Sequence, residues 1–436
     1  MLRVLPTYTE KELSLTECKR NVLLSQFALL EKKETTKTYD NQKDAANLLI
    51  QEISDLKNVF FLVLGNTQSG KTGVMSAFLR SYYEHETLQQ TPVENVFVIT
   101  AMSSTMWKAQ TQNRLPGILR DQVYHLPDLK KKLVPQLIGK KDVLLLIDET
   151  QIGAKKGQTI HQTIKMLGYD NIDTVLNNNI RILMFTATPS GVNMTMHHWE
   201  PHITRVSVNE GDTYYSAQRL LEMGKVLQYQ NICGINSKGE ETIDTAQLNV
   251  NLTEMRDVML SFTTPRYHII RTQRGIMGLR TEQNVKRMLP SGTKFVKFDM
   301  KTKKTTGDIN QILKKQPDQH TVIFIKDSMR CAKTIYKKWV GIMYERHTHI
   351  INDEVIIQGI RLTGYDYNGD AIMFTNIHSI RKYQTLLNTK FKDAQIEWIS
   401  NTTRFSKRNQ VTYPIETFLT KEKPVEKQQT VEKCAE

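Results

Sequence analysis

Cysteine is nearly absent from this chain, long apolar runs do not occur, and acidic side chains are outnumbered; each shortage excludes a class of protein. The four cysteines, Cys18, Cys233, Cys331 and Cys434, form no CxxC pair. That spacing offers neither a zinc knuckle nor a disulfide framework, and it fits a reducing compartment. No hydrophobic stretch approaches the roughly 20 residues a helix needs to cross a bilayer. Arg3, Glu10, Lys11 and Glu12 stand where a signal peptide needs an apolar core. A soluble, intracellular chain with no membrane partner is expected. No repeat of fixed period is visible, so a solenoid is not indicated.

What is present is length and positive charge. The 436 residues, 39% of them hydrophobic, can build two or three domains of roughly 100–200 residues each. Against 45 Asp and Glu stand 59 Lys and Arg, a formal net charge of +14. Such an excess attracts polyanions, because every phosphate neutralised releases condensed counterions. Lys130 to Lys132, Lys140-Lys141 and Lys301, Lys303 and Lys304 are solvated runs taken singly. Together they could line a groove that tracks a phosphate backbone.

The strongest local signal is Gly65-Asn66-Thr67-Gln68-Ser69-Gly70-Lys71-Thr72, directly after the apolar run Val59 to Leu64. A buried strand that turns through glycines into a helix start aims successive backbone N–H groups at one anion, and the helix dipole adds to the attraction. The pattern GxxxxGK plus Ser or Thr predicts a phosphate cradle contributed by Gly65, Thr67, Gln68, Ser69, Gly70, Lys71 and Thr72. Lys71 would reach the β and γ phosphates of ATP, and the Thr72 hydroxyl would ligate Mg2+.

A second apolar strand, Asp142 to Ile147, ends in the carboxylates Asp148 and Glu149. Beside a phosphate loop, Asp148 is expected to hold the metal and Glu149 to polarise an attacking water. A third strand ends in Phe185-Thr186-Ala187-Thr188-Pro189-Ser190, whose hydroxyls Thr186 and Thr188 are placed to sense the γ-phosphate region.

In that order, GNTQSGKTG, LIDET and FTATPS resemble motifs I, II and III of the superfamily 2 helicases and translocases, and among them the divergent members of large DNA viruses and phages. The likeness covers most of residues 40 to 400. It implies an ATP hydrolase acting on nucleic acid, DNA rather than RNA by preference. It also implies that Ser103, Ser104 and Thr105 in VITAMSSTMWKAQ contact the nucleic-acid backbone as motif Ia does, and that Gln42 reads adenine. VIIQGIRLTGYD resembles motif VI, which makes Gln358 and Arg361 the groups that face the nucleotide from a second lobe, Arg361 as arginine finger and Arg330 as the fallback. Motif II here ends in Gln151 where relatives carry Asp or His; Gln151 can still hydrogen-bond towards the TAT strand, without titrating.

The alternation of strands and helices before and after a weakly patterned middle predicts two tandem α/β units with parallel sheets. The expected organisation is a helical N-terminal extension (1–38), a RecA-like ATP-binding lobe (39–190), a connecting insertion (191–260), a second RecA-like lobe (261–418) and a disordered, charged tail (419–436). Two other readings of the same residues are a DNA-packaging or restriction-type motor carrying a C-terminal nuclease, with Asp299, Asp327 and Asp366 as its loose acid candidates, and a nucleic-acid-binding scaffold that holds ATP without hydrolysing it.

Overall fold

The computed structural model describes residues 9–33, 37–88, 90–101, 105–154, 157–189, 197–299, 307–326, 334–348, 351–367 and 369–392, with short pieces at 396–400, 403–405, 410–412 and 416–417. The predicted tail, Ser103, Ser104, Arg330 and Asp327 lie outside the described residues.

Helix α1 (Glu10–Glu31) starts at a capping box, in which Glu12 N donates to Thr9 Oγ1 at 3.3 Å and Thr9 N to the Glu12 carboxylate at 2.8 Å. Helix α2 (Asp40–Ser54) starts where the Gln42 side chain accepts from Tyr39 N at 3.1 Å and satisfies a donor the first turn would otherwise leave open.

The first sheet contains β1 (Phe60–Leu64), β2 (Val96–Thr100), β3 (Val123–His125), β4 (Val143–Asp148), β5 (Ile180–Thr186) and β6 (Ile203–Ser207), in the order β3-β2-β4-β5-β1-β6. All its pairs are parallel. Its strands are apolar throughout because both faces are covered. Phe61, Val63, Leu144 and Phe185 pack on one side with α1, α2 and α3 (Lys71–Glu84), while Phe60, Leu62, Leu145 and Ile182 pack on the other.

The second sheet, also parallel, runs β7-β12-β11-β8-β10-β9, built from β7 (Val226–Gln228), β8 (Tyr267–Arg271), β9 (Lys294–Phe298), β10 (Thr321–Ile325), β11 (Val340–Tyr344) and β12 (Ile372–Thr375). Two tandem RecA-like α/β lobes with a helical N-terminal region are the architecture. Residues 191–260, expected as a connecting region, supply an edge strand to each sheet: β6 pairs with β1 and β7 with β12. The first sheet therefore reaches Ser207, and the second begins at Val226. No helix among the described residues is long and apolar enough to cross a membrane.

Lobe 2 contains a buried imidazole whose titration opposes folding. His268 on β8 is fully buried, with Nε2 2.9 Å from His320 Nδ1. Burial first, then the neighbouring His320 and Arg266, push its pKa down to about 3. An unfolded histidine takes its proton near 6.5. The unfolded chain therefore binds more protons between those values, so the stability is complete above about 6.5 and falls as pH drops towards 3, by up to ~1.4 kcal/mol per pH unit. Urea titrations at pH 7.5 and pH 5 should show wild type losing about 2 kcal/mol more than His268→Gln; equal losses would contradict a neutral buried imidazole.

Candidate functional site

Parallel register brings the three sequence signals to one edge. Asp148 pairs with Thr100 and Phe185, and Leu64 pairs with Thr186 and Ser207, so the ends of β4, β5 and β1 stand side by side. The loop after β1 enters α3 at Gly70, whose φ of +85° is the left-handed conformation glycine alone adopts freely. A Cβ there would also lie 2.3 Å from Gln42 Nε2.

Lys71 is buried and donates to Gly65 O at 3.3 Å and Asn66 O at 2.9 Å, lying along the loop it belongs to. Thr72 Oγ1 donates to Asp148 Oδ2 at 3.3 Å, which unites the two predicted magnesium ligands. Burial chiefly, then the Glu149 carboxylate, raises the Asp148 pKa against the pull of Lys71 and Thr72. Burial likewise lowers Lys71, opposed by both carboxylates. Glu149 has a φ of +54° and Gln68 one of +62°, conformations that cost a non-glycine residue roughly 1–3 kcal/mol each and cluster at functional sites.

These residues fit a magnesium-bound triphosphate. Ser69 Oγ and both polar atoms of the Gln68 amide are buried with no hydrogen-bond partner among the described residues, and such groups are costly unless a ligand satisfies them. Crowding of Asp148 against Glu149 is what a divalent cation offsets. Among the described residues no group of three or more His, Cys, Asp or Glu could hold a metal, so this pair with Thr72 is the donor set the loop offers.

From Glu149 a run of hydrogen bonds crosses into lobe 2. The Gln151 amide donates to the Glu149 carboxylate, and Thr186 Oγ1 donates to Gln151 Oε1 at 2.7 Å. Thr188 N donates to Thr186 Oγ1 at 3.1 Å, and Gln358 Nε2 donates to Thr188 Oγ1 at 2.8 Å. From the Thr188 main chain the donors point towards Glu149 and each bond polarises the next, while the step to Gln358 passes through the separate Thr188 hydroxyl. Thr188 Oγ1 also donates to Glu354 Oε1 at 3.4 Å, and Tyr383 OH to Ala187 O at 2.9 Å.

The phosphate loop itself meets lobe 2. Thr67 Oγ1 is 3.2 Å from Thr363 Oγ1, and Tyr214 OH donates to Thr67 O at 2.6 Å. Gly364 has a φ of +129°, and a Cβ on it would lie 3.1 Å from Lys337 Nζ, 3.2 Å from Asp366 Oδ1 and 3.6 Å from Gln68 Oε1. Arg361 is buried on the same segment, between Gln358 and Thr363. Tyr39 stacks on Tyr365 from across the lobes, with ring centroids 5.5 Å apart at 9°. Asn41 Nδ2 reaches the Tyr365 hydroxyl at 3.2 Å.

Gln42 bonds to Tyr39 N and, through Nε2, to Gly70 O at 3.2 Å, so it sits beside the phosphate loop. Thr105 is exposed at the start of α4 (Thr105–Arg114). Sequence reasoning missed Tyr214, Thr363, Tyr365 and the buried Lys337, which is ion-paired with Asp366.

No family model matches the chain. It is 21% identical over 390 residues to the uncharacterized protein L594 of Acanthamoeba polyphaga mimivirus, spanning 84% of this chain and 92% of that protein. Among solved structures it is similar to the E. coli DExH-box NTPase HrpB, at a TM-score of 0.47 and 10% identity over 79% of this chain and 43% of HrpB. It is also similar to the NS3-like helicase from Alongshan virus, at a TM-score of 0.40 and 12% identity over 73% of this chain and 74% of that one. The chain thus spans less than half the length of HrpB, and its own two parallel sheets carry the fold assignment.

Proposed function

We propose that this chain is a nucleic-acid-stimulated ATPase, a helicase or translocase that converts hydrolysis between its lobes into movement along DNA or RNA. The observation that carries this reading is the donor run from Gln358 of lobe 2 to Glu149 of lobe 1, because it ties a water-polarising carboxylate to the position of the other lobe.

In this scheme Lys71 and the loop N–H groups hold the phosphates, and Tyr39 with Gln42 flanks the base. Thr72 and Asp148 would hold Mg2+, which when bound neutralises charge on the phosphate oxygens. Glu149 orients and polarises the attacking water, and Arg361 offers its guanidinium to the charge that develops on the γ-phosphoryl oxygens. Thr186 and Thr188 report the lobe separation to Glu149. Closing and reopening the lobes then alternates their grip on the backbone phosphates, with Thr105 among the contacts.

The decisive experiment is phosphate release titrated with single-stranded DNA, duplex DNA and RNA at several salt concentrations. Stimulation should weaken steadily as salt rises, because counterion release supplies the attraction. Activity indifferent to salt and nucleic acid would overturn the reading, ATP binding without turnover would make the chain a scaffold, and metal-dependent cleavage of DNA would make it a nuclease-bearing motor.

Thr188→Val keeps the side-chain shape and removes both cross-lobe bonds. Loss of these two bonds should lower the nucleic-acid-stimulated rate about tenfold with ATP affinity unchanged. An unchanged stimulated rate would remove Thr188 from the coupling path.

A further inference from the structure

Lobe 2 carries a cavity that none of the chemistry above uses. It measures about 460 Å3, within the roughly 300–1,000 Å3 of ligand pockets. It opens beyond the carboxyl ends of β8 and β11, the edge of a parallel sheet at which ligands collect. One wall is the start of a tight hairpin, in which Ile235 bridges Glu241, Asn236 N donates to Glu240 O at 2.9 Å and Asn236 Nδ2 to Glu240 Oε2 at 2.7 Å.

The lining offers apolar and aromatic surface to a flat group. Ile235, Met277, Val355 and Ile356 provide apolar surface, and the His347 ring, packed on Tyr229 with centroids 5.1 Å apart, provides an aromatic face. Glu345 and Arg346 are the charged groups in the lining, and the Glu345 carboxylate is held by Arg271 at 2.9 Å, so the wall is not of one sign.

The amides at the rim are already committed. Gln273 donates to His347 O at 3.1 Å and accepts from Thr281 Oγ1 at 3.2 Å. Asn231 accepts from Cys233 N and Gly234 N at 3.0 Å each and donates to Thr242 Oγ1 at 3.1 Å. Side chains so occupied fix the shape of the opening without offering the bidentate pattern that distinguishes one base from another.

We propose that this cavity takes a single unpaired nucleobase from a strand drawn across lobe 2, accepting any base. The inference rests on the nucleic-acid reading above and adds a base-holding subsite to what would otherwise be backbone contact alone. Gripping one base per step gives the lobe a hold on the strand that salt weakens less than phosphate contact.

The test uses the full chain and a labelled oligonucleotide trimmed to the shortest length that binds at full affinity, so that the protein has no second register. A single abasic nucleotide is moved through each position. One or two positions should lose about tenfold in affinity, equally for all four parent bases, as removal of a stacked base does. Met277→Trp fills the cavity and should make the intact and abasic oligonucleotides bind alike, a selective change that unfolding would not produce. A flat abasic profile with binding intact overturns the cavity's role alone, whereas loss of all oligonucleotide binding overturns the nucleic-acid reading and the cavity with it. Equal competition by a free nucleoside monophosphate would assign the cavity to a soluble nucleotide and also overturn the proposal.

Discussion

Glu149→Gln should lower nucleic-acid-stimulated phosphate release by roughly 10²–10⁴-fold, the contribution of a positioned general base, while ATP still binds. The substitution preserves size and keeps an oxygen able to accept from the Gln151 amide, so the donor run into lobe 2 keeps its anchor. What disappears is the negative charge that the proposed mechanism uses to polarise water. A filter-binding assay for ATP, run beside single-turnover hydrolysis, separates the two effects. If hydrolysis persists within threefold of wild type, the base lies elsewhere and the strained backbone at Glu149 serves another purpose.

Arg361→Ala should be the other large loss, about 10³–10⁵-fold in kcat, as expected when an arginine finger is removed. Arg361 is buried, so a fall in activity alone would not separate catalysis from folding. Arg361→Lys resolves this: the positive charge stays but the planar fork of donors is gone. A lysine variant with wild-type melting temperature and ATP KM, and kcat still depressed by at least about a hundredfold, supports the finger. Full activity in that variant would show that the planar fork at position 361 is not what the reaction needs, and would overturn the arginine-finger assignment.

The parts of this molecule legible beforehand share one physical property. β1, β4 and β5 lie at the centre of a parallel sheet, buried on both faces, so each reads as an unbroken apolar run. Their carboxyl ends carry the short polar clusters Gly65 to Thr72, Asp148-Glu149 and Thr186 to Thr188, and adjacent placement follows from the sheet order. In lobe 2 the apolar runs at 267–271, 295–298, 322–325, 340–344 and 372–374 likewise coincide with β8 to β12.

The edge strands β6 and β7 were not legible. β6, Ile-Thr-Arg-Val-Ser, is half-buried at three of its five positions, and β7 has three residues, so neither shows the apolar signature of a central strand. The same polar stretch hides Tyr214, whose contact with Thr67 depends on the chain returning to the phosphate loop after β6. Tyr39 and Tyr365 are 326 positions apart in sequence, and only the docking of the two lobes makes them neighbours.

Gly364 sets how closely two loops of different lobes can lie. Position 364 presents a bare hydrogen to the glutamine of the opposing loop, with a lysine and an aspartate at its flanks. A methyl there would meet that glutamine at an ordinary contact distance but crowd the lysine and the aspartate of its own lobe, and a φ of +129° would strain any side chain placed on it. The close fit of the two loops is thereby tied to the one residue that tolerates this backbone.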